Sequence, residues 1–99
     1  LNTLTLQAAM VERGLIRYTP AGLPALNFSL VYRGDLSEAG QVRQLELELP
    51  AVALGDIALT VDRIELGKII VWEGFLAHKN RRSKQIEFHI VRFEQCTEA

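Results

Sequence analysis

Residues 78–84 read His-Lys-Asn-Arg-Arg-Ser-Lys and hold four of the eleven basic side chains in this 99-residue chain: Lys79, Arg81, Arg82 and Lys84. Formal charge is −1, so the other 92 residues carry −5, seven basic against twelve acidic. Ammonium and guanidinium groups at this density neutralise phosphates and release the counterions condensed on them. On a mildly acidic body, such a cluster is a patch with a direction rather than general basicity. The competing reading is a solvated turn, and composition alone leaves the two level.

Other chemistry finds little support. His78 and His89 lie in different segments, and no cysteine or carboxylate cluster has metal-ligand spacing. No phosphate-cradling glycine loop and no nucleophile motif occurs. Glu46 and Glu48 share a strand face, but that spacing is ordinary alternation. The expectation is a non-enzyme without metal or cofactor. Among the aromatics, Phe28, Tyr32, Phe75 and Phe88 sit in apolar patterns and read as core. Trp72 reads as buried or at a subunit interface. Tyr18, beside Arg17 in a loop, is the one aromatic placed to stack on a base.

The segments that must position these groups have a period of two. Residues 3–11 put Leu4, Leu6, Ala8 and Met10 on one face, and residues 25–33 do the same with Leu26, Phe28, Leu30 and Tyr32. Residues 44–49 alternate Leu45, Leu47 and Leu49 with Gln44, Glu46 and Glu48. Each pattern predicts a half-buried strand. Residues 68–77 are apolar on both sides and predict a central strand covered on both faces. Residues 85–93 resume the alternation with Ile86, Phe88 and Ile90. Pro20, Gly22 and Pro24 mark a long loop, and Gly34 and Gly40 bracket a polar connection. Residues 51–66 are ambiguous: Ala and Leu favour helix, whereas Ile57, Leu59 and Val61 alternate. The spacing there favours an irregular segment with a short strand over a helix of one or two turns.

Five strands in about a hundred residues, with a break between the third and fourth, predict an all-β chain folded as a closed five-stranded barrel of the oligonucleotide-binding (OB) type. Gly74 inside the fourth strand suits a tight bend or bulge. In that fold the outer face of strands two and three, with the loops joining strands 1–2 and 4–5, forms the usual binding surface, so residues 78–84 become the 4–5 loop. With 48% hydrophobic residues and no linker composition, residues 1–99 are expected to form a single domain. No apolar run is long enough for a membrane span. One cysteine, Cys96, fits a reducing compartment, read as cytoplasm. A domain this small gains from burying apolar area in a dimer, and strand one offers a pairing edge.

At Thr19-Pro20-Ala21-Gly22-Leu23-Pro24, Phe28, Arg33, Glu38-Ala39-Gly40, Arg43-Gln44, Pro50, Glu73-Gly74-Phe75 and His78-Lys79 the chain resembles the bacterial primosomal replication protein N (PriB) family, relatives of the single-stranded-DNA-binding proteins. The resemblance covers nearly the whole chain. It implies a homodimer of OB-fold barrels that binds single-stranded DNA in replication restart and works with the helicase PriA and with DnaT. The DNA-contact positions it carries over are Lys79, Arg81, Arg82, Lys84, Arg17, Arg33 and Arg43. The chain departs from the family pattern at Glu46, where the family has a tryptophan, and at Gln41, where it has another aromatic. Its 4–5 loop is also shorter. An aromatic stacking platform contributes about 1–3 kcal/mol per base, so the exchange for a carboxylate should weaken binding by that order.

Two functional expectations follow. In the first, the protein is a single-stranded-DNA-binding accessory of the primosome that holds DNA through the 4–5 loop. In the second, DNA binding is slight and the face carrying Asn27, Ser29, Gln44 and Glu46 docks a partner protein. A tailed single-strand-binding protein is the less favoured third, because this sequence ends at Gln95-Cys96-Thr97-Glu98-Ala99 without a long acidic-tipped tail.

Overall fold

A computed structural model of the protein describes residues 1–96. The expected chain end at 95–99 therefore falls mostly outside the described residues. Strands β1 (Leu4–Arg13), β3 (Pro24–Glu38), β4 (Gln41–Leu54), β5 (Ile69–His78) and β6 (Ile86–Gln95) form a barrel in the order β1-β5-β6-β4-β3, closed by pairing of β1 with β3. A two-residue strand, β2 (Arg17–Tyr18), adds to β3 opposite Ala25 and Pro24. All pairings are antiparallel except β4 with β6. This is the five-stranded OB architecture that the alternation predicts.

Inward-facing residues of all five long strands fill the barrel: Met10, Leu26, Leu30, Ala53, Ile70, Trp72 and Phe88 are each fully buried. Trp72 is the centre of this core. Its ring lies 5.4 Å from Phe28 and 5.8 Å from Phe93, and its indole N–H donates to the Ala8 carbonyl at 3.0 Å. A buried indole N–H without an acceptor would be costly, so that bond is part of why a tryptophan fits here.

Residues 51–66 differ from expectation. β4 continues through Leu54, and a short helix, α1 (Asp56–Val61), follows it in place of a strand. Gly55, at φ 87°, takes a conformation that ends the strand. Asp56 in the first helical turn complements the helix dipole. Ala58 and Val61, three apart and so on one helical face, are buried against β3 and β4, whereas Leu59 is exposed. The alternation of Ile57, Leu59 and Val61 was compatible with either period, and packing of the three-residue spacing decided it.

Two other expectations are corrected. β5 is covered on one face only: Ile70 and Trp72 are buried, while Ile69 is 47% and Phe75 39% exposed. Those two point from the outer wall of the barrel, over which no further layer packs among the described residues. Phe75 is therefore not core; it stacks on His89 at 4.9 Å with planes 11° apart. Likewise the leucines of 44–49 are not uniformly half-buried, since Leu47 is 42% exposed. The β3–β4 hairpin runs past the barrel end, and residues 35–44 are all exposed.

β1 pairs with β5 along Leu4–Ala9 but with β3 only from Ala9 onward, with a register slip between Met10 and Glu12. Among the described residues its β3-facing edge is consequently unpaired over residues 4–8. Among the described residues, no helix is long and apolar enough to cross a membrane.

Candidate functional site

Strand β5 ends at His78 and β6 starts at Ile86, leaving a connection of seven residues, 79–85. The Lys79 N–H donates to the Gln85 carbonyl at 2.9 Å and closes its base. Inside, Asn80 Oδ1 accepts from the Arg82 N–H at 2.9 Å, and Ser83 Oγ accepts from the Gln85 N–H at 3.0 Å. Short polar side chains that reach backbone two residues on are the standard means of holding a turn. These bonds hold the loop's shape from within, and its four cations are left to point outward. Lys79, Arg81, Arg82 and Lys84 are exposed, and none makes an ion pair among the described residues.

At the foot of this loop lies a groove of about 320 Å³ on the outer side of β3 and β4. Lys79 and Gln85 line its loop end, with Asn27, Ser29, Pro50 and Glu87 along its floor and Glu12 on its β1 side. The register explains the floor: Ser29 is opposite Pro50 and Asn27 opposite Val52, and β6 runs alongside β4 with His89 beside Val52. Outward positions of three strands therefore share one surface. Arg13 also borders the groove, but its guanidinium is committed to the Ile64 carbonyl at 2.5 Å and to Asp62 at 3.6 Å.

A hydrogen-bonded chain crosses the groove. Arg17 donates twice to Asn27 Oδ1, at 3.1 and 2.9 Å, and the Asn27 amide donates to Glu87 Oε2 at 3.4 Å. Asn27 is thereby oriented from both sides, and Arg17 is held at the edge of the groove next to Tyr18. Tyr18 is 67% exposed and its ring is available from solvent. Glu87 is 8% exposed, the single charged side chain among the buried described residues.

The remaining residues singled out from sequence stand further along the hairpin, Arg33, Gln44 and Glu46 on the same face and Arg43 on the opposite one with Leu36 and Leu45. Arg33 is directly opposite Glu46 and pairs with it at 3.2 Å; Gln44 is opposite Asp35; Arg43 pairs with Glu38. Arg33 and Arg43 are thus neutralised at rest, unlike the loop cations, although exposed pairs of this kind are worth little and exchange readily. Six residues separate Asn27 from Arg33, about 20 Å at strand rise. The structure therefore brings Lys79, Asn27 and Ser29 together at the groove with Arg17 bonded to its edge, and places Tyr18 next along the short strand β2, outside the groove lining. It leaves Arg33, Arg43, Gln44 and Glu46 out on the hairpin, so the four residues proposed for partner docking do not make one compact site.

Glu87 is the groove residue that sequence reasoning passed over. The alternation of Ile86, Phe88 and Ile90 does put Glu87 on the outer face, where a carboxylate reads as solvated. Its low exposure comes with its place beside Asn27 of β3 in the groove, a long-range contact that no local pattern encodes.

Comparison with known proteins agrees with this geometry. Residues 2–92 match the profile described as "another single-strand binding protein family". The replication restart protein PriB of Bordetella pertussis is 44% identical over 90 residues, which cover 91% of this chain and 84% of that protein. PriB of Nitrosomonas europaea is 35% identical over 89 residues, 90% of this chain and 82% of that one. The solved structure of PriB from Ralstonia solanacearum superposes with a TM-score of 0.87 at 42% identity, over 96% of this chain and 97% of that chain.

Proposed function

The chain belongs to the replication restart protein PriB family, within the wider single-strand-binding fold, and from that premise we propose that it binds single-stranded DNA as a non-enzymatic accessory of replication restart. One observation carries the reading at the level of residues. Four exposed cations without ion-pair partners among the described residues sit on a self-bonded loop at the mouth of a polar groove, on the face where OB barrels bind oligonucleotides. In this reading Lys79, Arg81, Arg82 and Lys84 hold phosphates, Tyr18 stacks on a base, and Arg17 contacts the strand at the groove edge. Arg33 and Arg43 release Glu46 and Glu38 to engage phosphates further along the hairpin.

The protein acts as a homodimer, with the free edge of β1 over residues 4–8 as the pairing edge, and it works in the cytoplasm with PriA and DnaT. Family membership and the open edge support this; sedimentation giving a monomer at micromolar concentration would count against the dimer.

The test is a double substitution, Arg81→Ala with Arg82→Ala, read by fluorescence anisotropy with a labelled single strand. Affinity should fall, and the slope of log affinity against log salt should flatten by roughly 1.4, about 0.7 for each phosphate that is no longer neutralised. Unchanged affinity and slope would remove the loop as the principal DNA-binding element.

A second reading, a primosomal adaptor with little DNA affinity of its own, draws on the hairpin. Leu36, Val42 and Leu47 are 51%, 73% and 42% exposed there, and Glu46 occupies the position of the family's tryptophan. Titration with single-stranded DNA in the presence and absence of PriA separates the two. Tight binding by the protein alone would sink the adaptor reading.

A further inference from the structure

We infer that Glu87 reads the amino edge of a DNA base in the groove, so that this protein prefers amine-bearing bases to thymine; the inference rests on the single-stranded-DNA reading above. The carboxylate is placed where a general phosphate-binding site would not have one. Glu87 is 8% exposed, and its only hydrogen bond among the described residues is the 3.4 Å contact of Oε2 with the Asn27 amide. Oε1 accepts from no described residue and makes no ion pair. Every buried side-chain nitrogen and oxygen among the described residues has a partner, so this oxygen is one that still opens to the groove. The floor of the groove therefore presents a solvent-accessible acceptor beside the Asn27 amide.

Charge selects the donor. A phosphate is repelled by Glu87, whereas the loop cations just above attract it. Glu12 lines the same groove as Lys79, so a lysine or arginine of a partner protein is the competing occupant, and the Glu87→Gln comparison below separates it. A nucleotide satisfies both levels at once, with its phosphate on the loop and its neutral base on the floor. Cytosine presents an exocyclic N4 amine, for which glutamate is the matching acceptor. The corresponding edge of thymine presents a carbonyl oxygen, which faces the carboxylate with like partial charge. Asn27, oriented by Arg17, and Ser29 are within the same groove to meet the other polar atoms of the base.

The test compares oligo-dC with oligo-dT of equal length and salt, above neutral pH, on the wild type and on Glu87→Gln. The wild type should bind oligo-dC on the order of ten-fold tighter, the scale of one hydrogen bond to a charged group. The salt slope should be the same for both, because the phosphates are the same. In Glu87→Gln the ratio should collapse towards one, chiefly through tighter oligo-dT binding, since the amide supplies an N–H to the thymine carbonyl. The wild-type comparison stands even if the variant folds poorly. Equal binding of both oligonucleotides by the wild type overturns base reading and leaves the DNA-binding function intact. A preference that persists unchanged in a folded Glu87→Gln also overturns it, and points the carboxylate at a basic protein partner. Binding of neither oligonucleotide overturns the proposed function itself.

Discussion

Gly74 lies in backbone contact with His89 across β5 and β6: a Cβ on Gly74 would come within 1.7 Å of the His89 carbonyl oxygen. The pairing slips between Glu73 and Gly74, and beyond the slip His78 falls opposite Ile86, where the cationic loop begins. Glycine is thus what allows a bulged strand to lie this close to its neighbour. Gly74→Ala should cost about 3 kcal/mol or more, because the obstruction is backbone and cannot rotate away. Thermal unfolding should fall by upwards of about 12 °C for a domain of this size. A midpoint within error of wild type would mean that the bulge relocates without penalty.

The opposed pair Arg33 and Glu46 predicts a gain of function. With the carboxylate removed by Glu46→Gln, Arg33 no longer needs to leave a partner before meeting phosphate. Single-stranded DNA affinity should rise a few-fold and the salt slope steepen by about 0.7. Stability should change by under about 0.5 kcal/mol, since both side chains are mostly exposed. Glu46→Trp should gain more, about 1–3 kcal/mol of base stacking. Anisotropy titrations showing neither variant tighter than wild type would place the hairpin off the DNA path.

Trp72 is the chain's single tryptophan and is fully buried. Saturating single-stranded DNA should leave its emission without appreciable quenching or shift. A strong quench would require a base to reach the core or the barrel to rearrange. Trp72→Phe should destabilise by about 1–3 kcal/mol, through removal of the bond to Ala8 and the space the smaller ring leaves.

Tyr18 offers the opposite case. At 67% exposed it packs against little, so Tyr18→Ala should unfold within about 0.5 kcal/mol of wild type. Its DNA affinity should drop by about 1–3 kcal/mol if the ring carries a base. Tyr18→Phe should retain that affinity, whereas an equal drop in Phe and Ala variants would assign the effect to the hydroxyl rather than to stacking.

Local residue order was enough to determine most of the strand framework. Alternation marked four of the five long strands and a continuous apolar run marked the other, Gly74 marked the bulge, and Lys79 to Lys84 marked the exposed basic connection, because side-chain direction along a strand follows from backbone geometry alone. Tertiary structure decided which faces are covered and which charges are spent. Leu47 and Phe75 match their buried neighbours in type but stay exposed, since no other described element crosses the hairpin or the outer wall of β5. Residues 56–61 form a helix because Ala58 and Val61 meet the barrel end, although their sequence fits a strand equally well. Arg33 is paired while Arg81 is free among the described residues because register set Glu46 opposite the first and nothing opposite the second. Glu87 holds a solvated position by pattern, and its place beside Asn27 in the groove, with 8% exposure, is set by how β3 and β6 come together.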